Sequence, residues 1–89
     1  MTKLESIIEM YPDEAFLKAD GLDEAILGAA ELKQTGNIVL VYSRSAVIKI
    51  LIDRDKMTEE EAEEYYDFNI VGAYMGEKTP IWVEDEFFD

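Results

Sequence analysis

Cysteine and histidine are both absent from this 89-residue chain, and basic residues are scarce, with 8 Lys and Arg against 21 Asp and Glu. Without Cys there is no disulfide, no thiolate nucleophile and no Cys-ligated zinc. Without His, the usual general base near neutral pH and the commonest transition-metal ligand are missing. The formal net charge of −13 repels nucleic acid, anionic membranes and phosphorylated substrates, and attracts basic protein surfaces. A basic patch of the kind that binds nucleic acid is lacking. Long apolar runs are lacking too: Ile38–Tyr42 and Ala46–Ile52, the latter broken by Lys49, are far too short to span a bilayer. The start, Met1-Thr2-Lys3-Leu4-Glu5, turns acidic with no apolar stretch, so it does not read as a signal peptide. The expected location is cytoplasmic.

What the chain does have is apolar mass. Hydrophobic residues make up 48% of it, including Trp82, five Tyr and four Phe. Disordered acidic proteins lack that content, so residues 1–89 read as one folded domain, burying roughly 60–65% of the surface of the unfolded chain. Thr2 and Glu5 form a capping box ahead of Leu4, Ile7 and Ile8, predicting a helix over 3–10 stopped by Pro12. The stretch 13–21 is ambiguous, with helix-favouring residues followed by an Asp20-Gly21 turn. Ala25–Ala29 and Asn37–Tyr42 read as an antiparallel hairpin around Lys33-Gln34-Thr35-Gly36. The second of these strands is apolar on both faces, which predicts a central strand covered on each side. Ser43 or Ser45 caps a helix over about 45–55. Thr58-Glu59-Glu60-Glu61 is a second capping box, opening a helix over about 58–74 whose acidic first turn suits the helix dipole. Its apolar members, Ala62, Tyr65, Tyr66, Phe68, Val71 and Ala73, increase toward its C-terminal half. After Gly76 and Thr79-Pro80, Ile81-Trp82-Val83 reads as a last strand. The order α-β-β-α-α-β implies an α+β fold with a three-stranded, mostly antiparallel sheet packed by helices.

One block is distinctive: Arg54-Asp55-Lys56-Met57-Thr58, then Glu61 through Asn69, then Gly72-Ala73-Tyr74-Met75-Gly76-Glu77-Lys78-Thr79-Pro80. It resembles a family of short proteins of unknown function found mainly in bacteriophages and prophages. Members typically carry an Arg-Asp-Gly-Met-Thr turn, a helix ending Asn-x-x-Gly-Ala-Tyr, and a Gly-Glu-x-Thr-Pro exit. Ala19 to Ala25 and Gly28 resemble the family's N-terminal half. The departure is Lys56, where the family pattern has Gly; a left-handed backbone there costs Lys roughly 1 kcal/mol. The resemblance implies a phage accessory gene product, working in the host-cell cytoplasm, and implies no reaction.

Three constellations remain. Asp53-x-Asp55-x-Met57-x-Glu59-x-Glu61-x-x-Glu64 follows the alternating ligands of a calcium loop, but Thr58 stands where the sharp turn demands Gly, and the second half lies in a predicted helix. No metal is expected, either there or at Asp20-Gly21-x-Asp23-Glu24. Glu60, Glu63, Glu64 and Asp67 form an i, i+3, i+4, i+7 stripe of carboxylates roughly 5–6 Å apart, near the phosphate spacing of one DNA strand. The bland reading of this stripe is a solvated helix face. Against it stands the net charge, far beyond the magnitude of about 2–8 that keeps a small domain soluble. Tyr74, Gly76, Glu77 and Thr79 offer a turn able to wrap a small ligand, or simply a helix stop at Gly76 before the Pro80 strand.

The chain therefore reads as a protein that binds rather than catalyses, with no cofactor. The acidic stripe would dock on a basic host protein, in its sharpest form as a DNA-mimicking inhibitor of a nucleic-acid enzyme or defence system. The alternative is a binder of a small ligand, such as a nucleotide signal, at Tyr74–Thr79.

Overall fold

Thr2 opens the first helix as its sequence dictates. Its hydroxyl accepts the Glu5 N–H at 3.1 Å while Glu5 Oε1 accepts the Thr2 N–H at 3.0 Å, and α1 runs Lys3–Met10. The structure, a computed structural model, describes residues 2–19, 21–72, 76 and 78–85. Leu4 and Ile7 of α1 pack on the core, while Ile8 and Met10 face solvent. Residues 11–19 are irregular, and a 3₁₀ turn, Asp23–Ala25, leads into β1, Ile26–Glu31.

The hairpin closes where the turn residues put it. Leu32 N–H donates to Asn37 O and Gly36 N–H donates to Leu32 O, each at 2.7 Å. Gly36 takes φ 76°, a left-handed conformation that costs glycine little. The returning strand β2, Ile38–Ser43, is antiparallel to β1, with an irregularity between Ile26 and Gly28 that leaves Leu27 unmatched. β2 runs directly into α2, Arg44–Asp53. Lys56, at φ 60°, turns the chain into α3, Glu59–Tyr65, whose capping box between Thr58 and Glu61 is closed in both directions. The last strand, β3, is Ile81–Val83.

The element order is the one expected, and β2 is central in the sheet. Val39 and Leu40 point to opposite faces and are 1% and 0% exposed, so both faces are covered. The sheet is mixed, because β3 pairs parallel to β2 and only the β1–β2 ladder is antiparallel. Two helices separate β2 from β3, and a crossover of that length lets the chain return in the same direction. The third helix departs further from expectation: α-helix gives way at Tyr66 to a π-helical segment, Tyr66–Val71. Tyr66, Phe68, Asn69, Ile70 and Val71 are all middling helix formers, and Tyr66 and Ile70 of this segment pack against the core.

Candidate protein-binding face

Helix α3 and the π segment present two unlike sides. Ala62 and Tyr66, four residues apart, are buried, and Ile70 continues the same inward line. Phe68 lies two residues beyond Tyr66, on the opposite side of the helix, and is 80% exposed. Tyr65 and Val71 are also exposed. The apolar residues that the sequence groups together thus split between core and surface.

The carboxylate stripe divides as well. Glu60, Glu64 and Asp67 are exposed and Glu63 is half-buried. Glu63 Oε1 lies 3.7 Å from Arg44 Nη2, and Arg44 Nε lies 3.4 Å from Glu84 Oε2. The Arg44 guanidinium also sits 5.3 Å from the centre of the Tyr66 ring, and its side chain is 19% exposed. A largely desolvated cation held by two carboxylates and an aromatic face is a structural tie. Among the described residues, no cation pairs with Glu60, Glu64 or Asp67.

The acidic end of the chain is partly structural too. The Asp85 carboxylate accepts hydrogen bonds from Ser43 Oγ and from Ser45 N–H at the start of α2, and these bonds hold its carboxyl below the usual range. Glu84 belongs to Arg44. Glu86 and Asp89 lie outside the described residues.

Gly76 and Thr79, of the alternative ligand turn, face each other. Thr79 N–H and Thr79 Oγ1 both donate to Gly76 O, at 3.2 and 2.6 Å, and Gly76 has φ 89°. The Thr79 hydroxyl proton is therefore committed inside the turn. Lys78 reaches inward: Nζ pairs with Glu14, donates to Ile38 O at 3.1 Å and sits 5.8 Å from the centre of the Phe16 ring. Tyr74 and Glu77 lie outside the described residues.

The calcium-like spacing does not form a loop. Asp53 ends α2, Glu59, Glu61 and Glu64 lie on α3, and Asp55 is held by Arg54 Nε and Nη2 at 2.9 and 3.0 Å. Asp23 pairs with Lys18 at 3.3 Å, and Gly21 O accepts from Arg54 Nη1 at 2.6 Å. Among the described residues, no three acidic side chains are grouped to hold a metal ion.

Sequence reasoning missed Arg44 as a hub, Asp85 as a cap and the outward pair Tyr65 and Phe68. Only the last carried a signal: Glu61, Glu64, Tyr65 and Phe68 recur at helical spacing, away from Ala62 and Tyr66. Among the described residues, no helix is long and apolar enough to cross a membrane. The chain matches no protein-family model, no curated protein and no solved structure.

Proposed function

We propose that this protein acts by binding, docking the exposed carboxylates of α3 and the π segment on a basic surface of a host protein. One observation carries the reading: Glu60, Glu64 and Asp67 are exposed on one helical element, with no pairing cation among the described residues. A field that is not cancelled within its own molecule attracts an opposite one and steers it in. Neighbouring carboxylates on a helix stand roughly 5–6 Å apart, which supports the specific form of a DNA-mimicking inhibitor of a nucleic-acid enzyme or defence system. The likeness of the 54–80 block to short phage proteins supports a phage accessory role in the host-cell cytoplasm. In the ligand-binding alternative, the Thr79 hydroxyl already donates its hydrogen bond to Gly76 O.

The test uses a variant with Glu60, Glu64 and Asp67 reversed to Lys, measured against the basic protein that the parent captures from a host lysate. Association of the parent falls steeply between low and physiological salt, and the reversed variant associates slower by about tenfold or more at low salt. A variant that associates as fast as the parent overturns the reading.

A further inference from the structure

The outer side of the same helical element holds a groove of about 340 Å³ between Met57, Glu61, Glu64, Tyr65, Phe68 and Asn69. Single exposed apolar side chains are ordinary on protein surfaces. Here two of them, Tyr65 and Phe68, line one groove together with the half-buried Met57, and Phe68 is 80% exposed. Glu64 belongs both to this groove and to the acidic stripe, while Glu60 and Asp67 flank it along the helix. The groove therefore joins an apolar lining of Met57, Tyr65 and Phe68 to a rim of carboxylates, Glu61 and Glu64.

Charge decides what fits. A second copy of a chain with net charge −13 would bring the same carboxylates against these, and nucleic acid would bring phosphates. A basic segment meets the rim favourably, and its arginines can stack on Tyr65 or Phe68 while pairing with Glu61 or Glu64. We infer that the groove seats an apolar side chain of a basic amphipathic helix from a partner protein, with Lys or Arg beside it on the carboxylate rim. This rests on the acidic-face reading and adds an anchor to it: charge brings the partner in, and the aromatic groove holds it.

The probe is a synthetic helical peptide with Leu on one face and Lys and Arg on the rest, paired with a second in which every Leu is replaced by Ser. Each is titrated into the isotopically labelled full-length chain, and backbone amide shifts are followed by NMR. The Leu peptide is expected to bind about tenfold tighter than the Ser peptide, the equivalent of burying one aliphatic side chain, with shifts concentrated at 57, 64, 65, 68 and 69. Phe68→Ser, at a site too exposed to endanger the fold, is expected to erase that difference and leave the binding of the Ser peptide unchanged. Equal affinities for the two peptides, or a Phe68→Ser variant that keeps the difference, overturn the groove and leave the acidic face standing. If neither peptide binds at low salt, both readings fall. A dimer of the parent that Phe68→Ser dissociates assigns the groove to a second copy and also overturns the inference.

Discussion

Asp85 caps the helix that Ser43 begins. Ser43 Oγ donates to Asp85 Oδ2 at 2.5 Å and itself accepts the Ala46 N–H at 3.0 Å, while Asp85 Oδ1 accepts the Ser45 N–H at 3.0 Å. With the Ser43 proton given to Asp85, the Ser45 hydroxyl 3.2 Å away is the donor of that pair. The arrangement depends on the parallel ladder. Ser43 registers with Val83, so β3 finishes beside the start of α2, and the next residues reach the orphan N–H groups there. An antiparallel β3 would deliver Asp85 to the far end of the sheet.

Asp85→Ala is expected to cost about 1–2 kcal/mol, the worth of a cap with a charge-assisted bond. The Ser43 hydroxyl first, then the Ser45 N–H, hold the folded carboxyl below its ordinary value. A depressed folded pKa gives stability that is present above the unfolded value of about 3.9 and lost as pH falls through the folded one. Urea midpoints of parent and variant, taken from neutral pH downward, should keep a constant gap until that region and converge below it. A gap that persists undiminished in strong acid would mean that Asp85 does not cap as a carboxylate.

Tyr66 gives the opposite sign at the opposite end of the scale. It is 2% exposed, its Oη and Trp82 Nε1 have no hydrogen-bond partner among the described residues, and its ring meets Trp82 edge-on at 5.9 Å. Burial, then the nearby Glu84, push the phenol up to about 12. The folded phenol stays protonated after the unfolded one has ionised near 10, so stability from this group falls between about pH 10 and 12. Tyr66→Phe removes a hydroxyl with no hydrogen-bond partner among the described residues, so it should leave neutral-pH stability unchanged or raise it by up to about 1 kcal/mol. It should also flatten part of the alkaline decline in denaturation midpoint. A loss above about 1 kcal/mol at neutral pH would show that the hydroxyl has a partner, such as a buried water.

Lys56 carries a strain that one substitution relieves. At φ 60° its Cβ crowds the backbone, a cost of roughly 1–2 kcal/mol that glycine escapes, less the extra freedom glycine adds to the unfolded chain. Lys56→Gly should therefore stabilise by roughly 0.5–1 kcal/mol and raise the melting temperature by a few degrees. A lower melting temperature would mean that the Lys56 side chain supports the α2–α3 turn by more than the strain costs.

Local chemistry explains which parts of the fold were legible in the sequence. Both capping boxes, the Gly36 turn and the apolar strand 38–42 are set by residues within a few positions of one another, and each formed as read. The parallel placement of β3, the Asp85 cap and the Arg44 hub depend on partners about 40 residues away or on another element. The stripe reads as uniform surplus charge, because a carboxylate that is paired and one that is free look alike in one dimension. The centre of the sheet is the legible part with the largest consequence. Leu40→Ala, at a site with no exposure, should cost about 2–4 kcal/mol by cavity formation. A melting temperature within a few degrees of the parent would remove β2 from the core.

The division of the stripe by Arg44 gives the final prediction. Glu63→Lys would set an ammonium against a guanidinium that is 19% exposed, already committed to Glu84 and to the Tyr66 ring. Losing one partner and adding a repulsion at a half-buried site should cost about 1–2 kcal/mol. Reversing Glu60, Glu64 and Asp67 together should behave oppositely. None of them has a pairing cation to lose among the described residues, and the change removes close to half of the surplus negative charge of the chain. Glu60 in the first turn of α3 gives up about 0.3–1 kcal/mol of dipole stabilisation, which relief of repulsion across the surface offsets. The triple variant should thus melt at or above the parent at low salt, and added salt should raise its melting temperature less than the parent's. The contrast separates the carboxylates that build the fold from those left for a partner. A triple variant that melts well below the parent would assign all four to structure, and the acidic face would then have no free charge to offer.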